Sequence, residues 1–367
     1  MSIITFIIVL LVIVLVHEFG HFIVAKRSGI RVDEFGFGFP PKIFGKKFGE
    51  TLYSINLFPI GGFVRIFGET PNEESISGPD AKRSLFNKSK WTQAAVLGAG
   101  VIFNFLLAWV LFIGIFLMGA PYSVTDNIPK GGVIEDPRLT VTYVLPDSPA
   151  DRAGIKPGDK IVWVRSEEND VLSEPTDVEV QQFVSEYPYD MITIAYKRGN
   201  TQLDTIEVKP EHSERLGRPA IGITMDNVGR LRLPAHRAVL EGTKTTGVMT
   251  VAVTIGLFDF FRGIMTGGAD FEAVAGPIGI VGVVGDAAQL GIVSVMILTA
   301  VISINLGLIN LFPFPALDGG RLLFLGIEAV RKKSIKPQVA NTVNSIGFFL
   351  LLLLMAIITY YDIVDLF

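Results

Sequence analysis

The chain has 367 residues, 49% hydrophobic and 19% charged, and its mean hydropathy is positive. Soluble domains average about 25% charged residues, so this composition excludes an ordinary soluble enzyme, and the length allows two or three domains. The absence of cysteine excludes a disulfide framework, a thiol nucleophile and every thiolate zinc site, leaving histidine and carboxylate as strong metal ligands; a net charge of −4 without a basic stripe excludes a nucleic-acid partner.

A membrane span needs about 20 mostly apolar residues. Residues 3–16 are uncharged, and apolar character resumes over 19–25. Lys26 and Arg27 follow this run rather than precede it, and no small-residue cleavage site is present. The stretch is therefore expected to be an internal span and not a cleaved signal. Residues 32–67 are rich in Gly, Phe and Pro, with alternation of Leu52, Ser54 and Asn56 against Tyr53, Ile55 and Leu57 and a turn at Pro59-Ile60-Gly61-Gly62. This predicts a small sheet too apolar to sit freely in water, either a cytoplasmic loop or an edge strand entering the membrane.

Residues 94–118 form a second uncharged run. Residues 122–242 are more acidic and read as a folded domain, mixed α/β between 133 and 225, with strands at 139–145, 160–164, 191–197 and 204–208 and a helix at 177–186. Residues 245–261 contain Asp259 and predict an amphipathic or membrane-dipping helix. Residues 292–314 are a third span, and 346–360, extended back toward Val339, a fourth. Lys and Arg concentrate between Lys26 and Lys90 and again at Arg331, Lys332, Lys333 and Lys336. Four spans place these basic loops inside, and both termini and the 122–242 domain outside. The expected architecture is a multi-span α-helical membrane protein with a small membrane-associated β-region. It divides into 1–119 (two spans and the β-loop), 122–230 (extracytoplasmic α/β domain), 235–290 (dipping helix and connector) and 291–367 (two spans).

The chemistry sits in the first span. His17-Glu18-Phe19-Gly20-His21 matches H-E-x-x-H, which on a helix turns both imidazoles to one zinc ion with the glutamate beside an attacking water. Ionisable residues inside a span are costly and usually functional. From Lys26 back to His17 the helix rises about 14 Å, which puts the group below the membrane surface. A catalytic zinc needs a third protein ligand and one open position. His212 and His236 lie in the outward segment, so the best candidate is Asp318, in Asn310-Leu311-Phe312-Pro313-Phe314-Pro315-Ala316-Leu317-Asp318-Gly319-Gly320. Its prolines end the third span and its glycines are expected to free the backbone beyond it.

On these residues the chain resembles the site-2 protease family of intramembrane zinc proteases, most closely its bacterial RseP-type members. Gly100-Val101-Ile102-Phe103-Asn104 is similar to the family's G-x-x-x-N element, and Ala275-Gly276-Pro277-Ile278-Gly279 to another recurring element. The resemblance implies one Zn²⁺ held by His17, His21 and Asp318, with Glu18 as general base. It implies that Asn310 and Asn104 contact substrate or oxyanion, and that the 32–67 loop holds substrate as an added strand. It further implies that the outward domain is PDZ-like, here one domain where many members carry two, and that Val101 stands where proline is common. Partners implied are the bilayer and membrane-protein substrates such as anti-sigma factors or remnant signal peptides, cut in a bacterial cell membrane near its cytoplasmic side. The competing reading is a non-enzymatic membrane adaptor that uses the PDZ-like domain and carries a structural metal.

Overall fold

The computed structural model describes residues 2–70, 72–199, 201–213, 217–268, 276–333 and 335–364. The chain begins with α1 (Ser2–Arg27), β1 (Val32–Phe48), β2 (Thr51–Ile66), the short α2 (Glu73–Ser77) and α3 (Lys90–Met118). There follow β3 (Ala120–Ser123), β4 (Val133–Val144), α4 (Pro149–Ala153), β5 (Asp159–Arg165), β6 (Val171–Ser173), α5 (Asp177–Glu186), β7 (Ile192–Arg198), β8 (Asp204–Val208), β9 (Glu211–Ser213), β10 (Arg218–Ala220) and β11 (Ile223–Arg232). The last elements are α6 (Ala235–Thr266), α7 (Pro277–Leu290), α8 (Ile292–Leu311), α9 (Asp318–Arg331) and α10 (Pro337–Val364).

Among the described residues five helices, α1, α3, α6, α8 and α10, are long and apolar enough to cross a membrane. The chain is an integral membrane protein. The fifth, α6, departs from the expectation of a short dipping helix over 245–261. It runs for 32 residues, because the single Asp259 does not interrupt it and polar turns extend it toward Ala235.

One compact unit comprises Met1–Phe112, Thr243–Gly285 and Ile297–Phe367. In it, α1 and α3 meet at small residues: a Cβ on Gly20 would lie 2.5 Å from the Ala99 carbonyl oxygen. Residues 42–48 pair with 51–56, residues 32–37 pair with 62–66, and 34–37 also lie beside 52–55. The 61–66 segment of β2 thus has β1 on one side and α1 on the other. The predicted alternation is present with its polarity inverted. Thr51, Ser54 and Asn56 are buried, whereas Ile55, Leu57 and Phe58 are exposed. The inward polar groups find partners on β1: Thr51 Oγ1 donates to Val32 O (2.8 Å), Ser54 Oγ to Glu34 Oε1 (2.6 Å) and Asn56 Nδ2 to Gly38 O (3.0 Å). Exposed Phe39, Ile43, Phe44 and Phe48 continue the outward face. A sheet with satisfied polar groups inside and apolar groups outside suits hydrocarbon rather than water.

The second unit comprises Ile113–Gly242 and Asp286–Met296. Its sheet runs β3-β11-β4-β5-β7-β8, with β6 on β5. Leu139, Val141, Ile161, Val164, Ile192 and Ile194 form its core with Val180, Phe183 and Val184 of α5. Helix ends follow from the sequence. Ser148 caps α4 and Gly154 closes it at φ 91; Thr176 and Glu179 form a capping box on α5. Buried Asp159 accepts from Arg198 Nε and Nη2 at 2.7 and 2.6 Å. Asp286 belongs to this unit through Lys156 Nζ, 2.8 Å from its carboxylate, so the unit takes in residues well beyond the 122–230 expected.

Candidate metal centre

Within the first unit, three potential ligand atoms meet. His17 and His21 lie one turn apart on α1, and Asp318 opens α9. The two Nε2 atoms are 3.2 Å apart, and each is 3.2 Å from Asp318 Oδ2. Tetrahedral zinc at about 2.0–2.1 Å from its ligands sets them about 3.3–3.4 Å from one another. The triangle therefore matches one face of a zinc tetrahedron with the fourth corner free. Asp318 Oδ2 is buried and has no hydrogen-bond donor, a costly state for a carboxylate oxygen that a cation would relieve. The donor set fits zinc.

Helix α3 shapes the pocket for the two rings. A Cβ on Gly100 would lie 2.4 Å from His21 Nε2 and 2.6 Å from His17 Cε1, so only glycine leaves room. His21 Nδ1 donates to the Val96 carbonyl at 2.7 Å, which leaves its Nε2 free for a metal. Asn104 is fully buried, and its Nδ2 is 3.2 Å from His17 Nδ1. It faces the imidazole, not an open cleft.

Asp318 is placed by a reversal of the chain. Helix α8 stops at Leu311, the Phe314 N–H donates to Phe312 O at 2.7 Å, and Ala316 adopts φ 76. A Cβ on Gly319 or on Gly320 would lie 2.2 Å from Phe312 O or Phe314 O, respectively. The glycine pair was expected to free the backbone; instead both residues are helical and serve close approach. Just beyond, Arg321 pairs with Glu69. Burial opposes the Arg321 charge, but the carboxylates of Glu69, Asp318 and Glu18 together raise the guanidinium pKa.

Glu18 is half-buried, and its carboxylate accepts from the Val64 N–H at 3.0 Å. The outer side of the 61–66 segment therefore faces the glutamate. Gly62 lies close to the same helix: its Cβ would be 3.2 Å from Leu15 Cδ2. Asn310 is half-buried near the end of α8, and its side chain forms no hydrogen bond among the described residues. His212 and His236 are exposed; the described residues offer one metal-capable group, His17, His21 and Asp318.

The glycine-proline element ahead of the third span stands apart from this centre. Its Ala275 lies outside the described residues. The N–H groups of Gly276, Ile278 and Gly279 donate to the Asp362 carboxylate at 2.9, 3.0 and 3.0 Å, a clasp between the start of α7 and the end of α10. Sequence reasoning missed Val96 and Val64, because each acts through its backbone and any residue type supplies that. Gly100 did leave a signal: a glycine interrupting an apolar helix marks close approach.

A family model, Peptidase family M50, matches residues 5–354. The chain belongs to peptidase family M50. It is 31% identical to the regulator of sigma-W protease RasP of Bacillus subtilis (strain 168), over 100% of this chain and 99% of that protein. It is likewise 31% identical to the zinc metalloprotease RasP of Oceanobacillus iheyensis, with 100% and 99% covered. The zinc metalloprotease RasP of Shouchella clausii is 29% identical with the same coverage. The Bacillus alignment spans 441 positions against 367 residues here, so that relative carries segments this chain lacks. M50 membership makes the chain a zinc metalloprotease of the intramembrane, site-2 type and sets the adaptor reading aside.

Proposed function

We propose that His17, His21 and Asp318 hold a single zinc ion and that Glu18 is the general base for hydrolysis of peptide bonds in or beside transmembrane segments. The observation that carries this is the 3.2 Å triangle of ligand atoms, with Glu18 on the helix that supplies two of its corners.

A peptide bond inside a membrane helix is shielded by its own hydrogen bonds, so substrate must unwind before it is cut. The outer side of β2 at 61–66 offers backbone groups to an extended segment, which adds as a strand and keeps its amides paired in a dry site. The Val64 N–H that holds Glu18 is one of the groups such a strand would use, and its release lets the carboxylate turn to the attacking water. Zinc, when bound, supplies Lewis-acid polarisation of that water and of the scissile carbonyl. Glu18 accepts the proton of the water and passes it to the leaving amine. The Asn310 amide donates to the carbonyl oxygen as charge develops there.

The second unit serves as a PDZ-like domain outside the membrane that selects or restricts substrates, while the metal centre lies near the cytoplasmic side of a bacterial cell membrane. The basic residues of the loop before α3 and of the α9–α10 turn favour this orientation. The name of the Bacillus relative, a regulator of sigma-W protease, favours anti-sigma factors as substrates; remnant signal peptides share the needed chemistry of a short membrane-held segment. Replacement Glu18→Gln tests the assignment. Cleavage of a co-expressed membrane substrate is expected to fall by at least about 10²–10⁴-fold with zinc content unchanged. Persistent cleavage by the purified variant would remove Glu18 from this role.

A further inference from the structure

A histidine that binds a metal through Nε2 must carry its proton on Nδ1, and that proton needs an acceptor. For His21 the Val96 carbonyl, 2.7 Å away, is that acceptor. For His17 the neighbour of Nδ1 is the Asn104 amide nitrogen at 3.2 Å, a donor, while Asn104 Oδ1 is buried without a donor of its own. An N–H without an acceptor and an oxygen without a donor thus lie on the same pair of side chains. Amide nitrogen and oxygen have the same shape, and the hydrogen-bond network decides which is which. Exchange of the two pairs the ring N–H with the amide oxygen.

We infer that Asn104 presents Oδ1 to the Nδ1–H of His17, fixes its tautomer and ring orientation, and is a positioning residue of the metal centre rather than a substrate contact. The inference rests on the zinc reading above. Asn104 is held from behind: the fully buried Ser303 donates its hydroxyl to the Asn104 carbonyl oxygen at 2.9 Å, and Gly307 allows α8 to come near, its Cβ position being 3.4 Å from Asn104 Cβ. Val96 and Asn104 stand one on each side of Gly100, four residues away in either direction, Val96 at His21 and Asn104 at His17. One stretch of α3 thereby makes room for both rings and orients each. This gives the G-x-x-x-N element a physical content that its letters do not carry.

The test compares zinc release to a chelator from wild-type protein, N104A and N104D in detergent. Aspartate keeps an acceptor at the same reach and offers no donor. N104A is expected to lose zinc ten- to a hundredfold more readily, with N104D within about threefold of wild type. Equal retention by N104A and wild type, or N104D as weak as N104A, would overturn the inference and leave the zinc reading standing. Wild-type protein without stoichiometric zinc would instead sink the zinc reading. Should N104A not fold, N104D decides alone: zinc release within about threefold of wild type supports the inference, and release about ten- to a hundredfold faster contradicts it.

Discussion

Adding one methyl group at Gly100 would place a carbon 2.4 Å from His21 Nε2, the atom proposed to bind zinc. Gly100→Ala is therefore expected to leave a folded, membrane-inserted protein whose zinc affinity drops by at least about tenfold, by analogy with the loss of groups that orient ligands. Metal analysis after dialysis against a weak chelator reads this; zinc retained at the wild-type level would contradict it. At this scale the sequence was legible where side chains carry the chemistry. H-E-x-x-H puts two candidate ligands four residues apart on one helix face, and the shortage of other histidines directs the search for a third to Asp318, whose Oδ2 lies 3.2 Å from both imidazoles. It was illegible where backbone atoms act. The Val96 carbonyl and the Val64 N–H have no identity of their own, and only the crossing of α1 with α3 and with β2 brings them to His21 and Glu18.

The elements show which local patterns survive a change of solvent. Period-two alternation in β2 announced a strand, but its polar side faces inward: Asn56 is buried and Ile55 exposed. The Val64 N–H points to Glu18 and not to the strand ladder, so proline there removes one donor and leaves the pairing with β1 in place. Val64→Pro is expected to preserve thermal stability in detergent and to reduce substrate cleavage at least about tenfold, the worth of one hydrogen bond of about 1.5 kcal/mol. Unchanged cleavage would exclude the 61–66 segment as the place where substrate adds. Gly319→Ala acts differently. Its methyl would meet the Phe312 carbonyl oxygen, so the variant should lose about 1–3 kcal/mol of stability and displace Asp318, seen as a lower melting temperature together with lost zinc. The length of α6 escaped the sequence, because only the apolar stretch 245–261 was counted, while the more polar residues 235–244 continue the same helix.

Five apolar helices would ordinarily put the two termini on opposite sides of a membrane. Contacts inside the first unit argue otherwise. Phe261, late in α6, stacks on Phe312 at the end of α8, whereas Gly276, at the head of α7, is held by Asp362 near the end of α10. Gly347 of α10 adjoins Pro315, in the turn that follows Phe312, and Asp362 lies 15 residues, about 22 Å of helix, farther on. Phe261 and Phe312 thus share one level of this unit and Gly276 and Asp362 another, which supports the expectation that both termini face one side. Because the native chain has no cysteine, single cysteines placed at either end are expected to react with an impermeant reagent from the same side of sealed vesicles; labelling from opposite sides would refute this. The overall class, a membrane-embedded zinc peptidase, was legible from composition and two motifs, while the Phe261–Phe312 and Gly276–Asp362 contacts were not, since each joins residues far apart in sequence.

Absorption at the zinc edge, recorded on purified Glu18→Gln protein in detergent, addresses the metal centre itself. The account predicts one zinc per chain in a shell of two imidazole nitrogens and light oxygen donors at about 2.0–2.2 Å, with the shell reduced to one imidazole when His17 or His21 is replaced by alanine. A zinc that keeps both imidazoles in those variants, or a wild-type chain that holds no zinc, would contradict it.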